Sequence, residues 1–227
     1  MSTSEREAKR QIEWVIARLE KHFGEPVWPG RRDFLEILIG TILSQNTNDK
    51  NSEAAFLKLR AAFKDWQAIM ASPTARIAAA IRSAGLANQK AERIKKILAW
   101  VNKTWGTFDL NFLCAMDQRQ ISDLFQQQKG IGAKTISVTL MFACGHDVFP
   151  VDTHVHRLCG RLGLVPSGTT AEKTFTLMAP RIHRGKGYSF HVNKIRLGRE
   201  ICQARKPRCL QCPLRKKCPS APTSAAE

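Results

Sequence analysis

The sequence predicts an all-α protein, and two observations carry that expectation. Apolar residues recur at helical spacing from one end of the chain to the other, without the alternation that marks strands. Helix-start residues and glycines punctuate these stretches at the intervals of short packed helices. At 227 residues the chain can bury a core as one domain or as two small ones, and neither an internal repeat nor a long linker divides it.

The elements follow in order. Ile12, Val15, Ile16 and Leu19 share one face of a first helix that ends near Gly24. Asp33 can cap the strongly apolar run Phe34–Leu43, which reads as a buried central helix, and the polar stretch Ser44–Asp49 breaks it. Ser72-Pro73 reads as an N-cap with proline in the first turn, opening an Ala-rich helix that stops at Gly85. Gln89–Lys103 turns Ile94, Ile97, Leu98 and Val101 inward. Ile121, Leu124 and Phe125 give an apolar face just before Lys129-Gly130-Ile131-Gly132, and a helix follows over Ala133–Cys144. His146–Val151 is extended, Asp152 starts Thr153–Leu162, and Thr169 with Glu172 has the capping-box pattern. A last helix over about Gly187–Cys202 runs into a cysteine cluster, and the end of the chain has the composition of a frayed tail.

Charge narrows the class of partner. With 36 Lys+Arg against 19 Asp+Glu, the net charge is +17, which favours a polyanion whose counterions are released on binding. Arg181–Glu227 holds twelve Lys/Arg and only Glu200 and Glu227 as acids. No apolar run reaches bilayer length and no lipidation motif is present, so nucleic acid is preferred to an anionic membrane. Met1–Arg10 is polar and lacks the apolar core of a secretory signal. Cys114, Cys144 and Cys159 lie in apolar helical patterns, where reduced cysteine acts as a small hydrophobe; a reducing, cytoplasmic compartment is expected.

Gly130-Ile131-Gly132 between two helices is what a helix–hairpin–helix needs. Glycines allow close backbone approach, and the free amides of the next helix face an anion such as a DNA phosphate. An ordinary turn between two helices would use the same residues; Lys134, Thr135 and the overall charge favour the DNA contact. Lys134 follows this turn, and eighteen positions later Asp152 opens another helix. Taken singly, Lys134 is a good phosphate contact and Asp152 a good N-cap. Near the C-terminus, Cys202, Cys209, Cys212 and Cys218 fall within seventeen residues, interleaved with Pro207, Pro213 and Pro219. Four cysteines can hold zinc or an iron–sulfur cluster, although a zinc site commonly shows two CxxC knuckles and this segment has one. His154 and His156 lack Cys or carboxylate partners at metal-ligand spacing and are expected to touch phosphate or to pack.

From about Asp33 to Pro219 the chain resembles the endonuclease III family, the iron–sulfur branch of the helix–hairpin–helix DNA glycosylases. The resemblance rests on Leu43-Ser44-Gln45-Asn46, on Gly85 to Glu92, on Gly130-Ile131-Gly132-Ala133-Lys134-Thr135, on Val151-Asp152-Thr153-His154 and on the cysteine spacing. Lys129 departs from the pattern, since the family usually has proline there. The resemblance implies two lobes: residues 36–146 carrying the hairpin, residues 1–35 with 147–220 carrying the cluster, and a disordered tail at 221–227. It implies a [4Fe–4S] cluster on the four cysteines, and duplex DNA with a damaged base or abasic site as the partner of a monomer. DNA is expected across a cleft between Lys134 and Asp152, gripped through Gly130, Ile131, Gly132, Thr135 and His154.

The same resemblance assigns a lysine nucleophile to Lys134. A free amine attacks the anomeric carbon, the base leaves, and the resulting Schiff base permits β-elimination of the 3′ phosphate. Neighbouring cations, a helix N-terminus and partial burial each favour the free amine. Asp152 would accept a proton and stabilise positive charge on the sugar. Because the target base must leave the stack, Leu86 and either Gln45 or Asn46 are expected to fill the gap. Oxidised pyrimidines are the substrates the resemblance favours. The competing expectations are a glycosylase for another lesion or mismatch, and a DNA-binding iron–sulfur protein without catalysis.

Overall fold

The computed structural model describes residues 3–222. Among them the helices are α1 (Thr3–Phe23), α2 (Phe34–Leu43), α3 (Asp49–Ala62), α4 (Trp66–Ala71), α5 (Thr74–Ala80), α6 (Ala87–Trp105), α7 (Gln118–Gln126), α8 (Ala133–Thr139), α9 (Thr153–Arg161), α10 (Ala171–Met178) and α11 (Gly187–Glu200), with no strand among the described residues. The all-α expectation therefore holds. The chain divides into two compact units, Gly30–His146 and Met1–Pro29 together with Asp147–Glu227.

In the unit formed by Gly30–His146, α2 is apolar nearly all round and is accordingly buried: Phe34, Leu35, Leu38, Ile39, Ile42 and Leu43 have no exposed surface. Asp33 Oδ1 accepts from the Glu36 amide at 2.7 Å and caps it as expected. α2 packs against α8, α3 and α6. At the far end of α6, Trp100 and Trp105 meet Phe125 of α7 with ring centroids 5.1 and 5.9 Å apart, so these tryptophans belong to the packing that seats the hairpin. In the other unit, Ile12, Val15, Ile16 and Leu19 of α1 share a core with Val155 and Leu158 of α9 and Phe190 and Leu197 of α11.

Several local expectations are corrected. Asp49–Ala71, where the sequence marks no helix, forms α3 and α4, capped by Asn48 and Asp65. The Ser72 hydroxyl does not cap α5; it donates back to Ala68 O at 2.8 Å and closes α4. The cap of α10 is Thr170, one residue later than expected, because the Thr169 hydroxyl is committed to Pro166 O at 2.6 Å. α8 runs on into a π-helical turn over Leu140–Cys144, which brings Cys144 to Cys114; the two form a disulfide with Cα atoms 5.0 Å apart. They are thus not separate reduced hydrophobes, and they drop out of the case for a reducing compartment. Among the described residues no helix is long and apolar enough to cross a membrane. From residue 223 onward the expected tail lies outside the described residues.

Candidate nucleic-acid interface and cysteine site

The turn between α7 and α8 is tightened by two backbone bonds, Gln128 N to Phe125 O at 2.9 Å and Ile131 N to Gln128 O at 3.0 Å. Its two glycines have different reasons to be there. Gly130 has φ +93°, and a Cβ on it would overlap the Arg93 guanidinium. Gly132 has an ordinary φ of −92°, and its Cβ position is open space within the chain. Among the described residues nothing excludes a side chain at Gly132. No side chain among the described residues caps α8, which leaves the amides of its first turn for an external acceptor.

Lys134 stands in that first turn, exposed, with no hydrogen bond or ion pair among the described residues. Partial burial, one of the expected aids to a free amine, is absent. Ile131 and Thr135, expected at the DNA face, turn inward with 2% and 4% exposure. Ile131 plugs the turn, and the Thr135 hydroxyl accepts from Gln45 Nε2 at 3.2 Å. Neither side chain reaches outward because the hairpin needs both for its own packing.

Gln45 is held on the hairpin. Its Nε2 reaches Gly130 O at 3.4 Å as well as Thr135, and its Oε1 accepts from Arg93. Asn46, the next residue, is exposed in the left-handed region at φ 54°. Leu86 is likewise left-handed at φ 48°, with 51% of its surface exposed. A non-glycine residue with positive φ is uncommon, and such strain concentrates at functional sites. Both strained residues follow loops tied together by Lys90. This lysine is 2% exposed, and its Nζ donates to Leu43 O at 2.7 Å and Ala84 O at 2.8 Å. Burial, reinforced by the nearby Arg93, pushes its pKa down. In the sequence Lys90 stands out only as part of the Gly85 to Glu92 motif. A lysine on the inward side of an amphipathic helix was the available signal.

Asp152 is half-buried and caps α9, with Oδ1 accepting from Val155 N at 2.7 Å; Oδ2 has no hydrogen-bond partner among the described residues. Its carboxylate is thus fixed by one oxygen and available through the other. His154 faces Gly198, where an added Cβ would lie 2.7 Å from its Nδ1, and the same nitrogen lies 3.1 Å from Arg157 Nη2. Burial lowers the His154 pKa, with Arg157 and Arg199 adding to the effect and Asp152 opposing it. His156 bonds Thr174 Oγ1 at 3.0 Å. Both histidines are engaged in packing contacts within their own unit.

Further along α9, Arg157 Nη2 donates to Gly198 O and Cys202 O, each at 3.0 Å, and Arg161 Nη1 donates to Cys202 Sγ at 3.2 Å. The helix that Asp152 caps is therefore tied to the first of the clustered cysteines. Cys202, Cys209, Cys212 and Cys218 line one cavity of about 170 Å³ with Arg161, Arg208 and Arg215. Among the described residues no three His, Cys, Asp or Glu side chains converge as a single metal ion requires. Four thiols lining one cavity make an all-sulfur donor set, which is the set iron–sulfur clusters use. Burial pushes the Cys212 and Cys218 thiols up, and the neighbouring cysteines push further. A bound cationic centre would reverse that bias.

Comparison with known proteins agrees with this geometry. Residues 39–182 match the HhH-GPD superfamily of base excision DNA repair proteins. The chain is 32% identical to endonuclease III of Sulfolobus acidocaldarius over 189 residues, 82% of each protein. Over 148 residues it is 37% identical to an Arabidopsis thaliana protein named as a DNA glycosylase; this spans 65% of the chain and 50% of the relative's length. Its structure superposes on that of endonuclease III in a non-covalent complex with DNA, with a TM-score of 0.81, 26% identity and 97% of both chains covered.

Proposed function

Because the chain belongs to the HhH-GPD superfamily of base excision DNA repair proteins and to its endonuclease III family, we propose that it is a bifunctional DNA glycosylase and AP lyase acting on damaged duplex DNA. The observation that carries this proposal is Lys134: an exposed amine, without a partner among the described residues, in the first turn of the hairpin's second helix, two residues after a glycine whose Cβ position is open. In the proposed reaction Nζ of Lys134, as the free amine, bonds to the anomeric carbon as the bond to the base breaks. The resulting Schiff base acidifies the adjacent sugar carbon, and loss of that proton expels the 3′ phosphate by β-elimination. Asp152, its Oδ1 fixed by the cap, offers Oδ2 to take up a proton and to stabilise positive charge on the sugar.

Asn46 and Leu86 are the proposed fillers of the vacated stack, since both are exposed and strained while Gln45 is tied to the hairpin. Gly130, Gly132 and the first amides of α8 grip the phosphates. Cys202, Cys209, Cys212 and Cys218 hold a [4Fe–4S] cluster, which when bound supplies four bonds that pin the cationic loop over Arg205–Lys217. Oxidised pyrimidines are the proposed substrates, on the family resemblance.

Borohydride trapping tests the reading. Wild-type protein incubated with duplex DNA carrying an oxidised pyrimidine or an abasic site should give a covalent adduct, and Lys134→Ala should give none. Equal trapping by the variant, or none by either protein, would remove the lysine mechanism. Base release without strand cleavage would leave a monofunctional glycosylase.

A further inference from the structure

Cys159 of α9 and Lys194 of α11 form a pair in the core that the proposed reaction does not use. Both are fully buried, with no exposed surface. Lys194 Nζ donates to Cys159 Sγ at 2.9 Å, and among the described residues it has no other hydrogen-bond partner. Its remaining surroundings are aromatic: the Phe190 ring lies 4.3 Å away and the Phe149 ring 5.7 Å. Lysine is almost never fully buried unless paired, and sulfur is a weak acceptor. Ring faces alone would account for a buried lysine, but not for nitrogen and sulfur in direct contact with no atom between them.

We propose that Cys159 and Lys194 are an oxidative modification site, at which dioxygen joins the two side chains through a covalent N–O–S bridge. One oxygen atom enters between Nζ and Sγ, and the other leaves as water. The amine gives up one hydrogen and the thiol gives up its own, while a third remains on nitrogen. Nitrogen and sulfur each lose two electrons, and dioxygen takes all four. Burial directs this chemistry. A water-exposed thiol proceeds by stages to sulfinic acid, whereas here water and peroxide are excluded and the nearest partner for an oxidised sulfur is the amine. Dioxygen, small and apolar, reaches such a site through local openings of the core. The bridge closes a loop over 35 positions and bolts α11 to the helix capped by Asp152, constraining the unfolded chain as a disulfide does.

The test uses the full-length protein, purified without oxygen and then divided between air and an anaerobic control. Site-resolved peptide mass spectrometry should recover the Cys159 and Lys194 peptides linked in the aerated sample, heavier than their sum by one oxygen less two hydrogens. The linked species should be absent from the anaerobic control and from Cys159→Ala and Lys194→Met, and a thiol reductant should separate it. Separate, unmodified peptides after prolonged aeration would overturn the proposal. So would a link that has lost two hydrogens without gaining oxygen, or oxygen found on Cys159 alone. Should either variant fail to fold, the wild-type comparison decides by itself.

Discussion

Lys90 donates through Nζ to the Leu43 carbonyl at 2.7 Å, and this bond joins the end of α2 to the turn before Leu86, because the same ammonium also holds Ala84 O. One buried cation therefore sets the spacing of the two loops on which Asn46 and Leu86 stand. Lys90→Met keeps the length of the side chain but leaves two carbonyls unsatisfied. Its cost should be about 2–3 kcal/mol, read from denaturant midpoints. Damaged-base release should fall more than trapping at a preformed abasic site, where no base has to be extruded. An equal fall in both would show that Lys90 serves stability alone.

Gly130 and Gly132 should separate in the same way. Gly130→Ala meets positive φ and the Arg93 guanidinium, so it should destabilise the fold by roughly 1–3 kcal/mol. Gly132→Ala has room within the chain and an ordinary φ, so thermal stability should fall only by the small cost of alanine at an N-cap, while affinity for duplex DNA falls several-fold. Binding by Gly132→Ala at wild-type strength would show that no phosphate approaches this glycine.

Leu86→Gly removes a side chain and relieves a left-handed leucine. The relief and the greater freedom of glycine in the unfolded chain nearly offset, so stability should change by no more than about 1 kcal/mol. Excision of the damaged base should nonetheless drop by an order of magnitude or more if Leu86 enters the duplex. Kinetics on damaged duplex and on single-stranded substrate, where little stacking opposes extrusion, distinguish that role from a general loss.

His154 makes stability depend on pH. Its folded pKa lies below 6.5, so the unfolded chain binds a proton first as pH falls. Stability should therefore decline as pH drops through 6.5 and level off below the folded pKa. His154→Gln should flatten that decline on the acid side of neutrality, measured by chemical unfolding at each pH. An unchanged slope would place the titration elsewhere.

The sequence by itself determined the helical class, the cap at Asp33, the hairpin between α7 and α8 and the cap at Asp152. These are local matters: periodicity, capping oxygens and glycine turns act within a few residues of one another. Asp49–Ala71 was illegible because α4 is short and α3's buried face is small, made of Ser52, Ala55 and Leu59. Tertiary structure alone decided which side chains of a motif point outward. Gln45 and Asn46 are neighbours in a polar stretch, yet partners 48 to 90 positions away hold the first and leave the second exposed. Separations of 30 to 47 positions likewise hid the Cys114 and Cys144 bond, the tie from Lys90 to Leu43 and the Lys194 and Cys159 contact. Each joins residues whose separation along the chain carries no signal of their approach, since packing of whole helices, and not any local preference, brings them together.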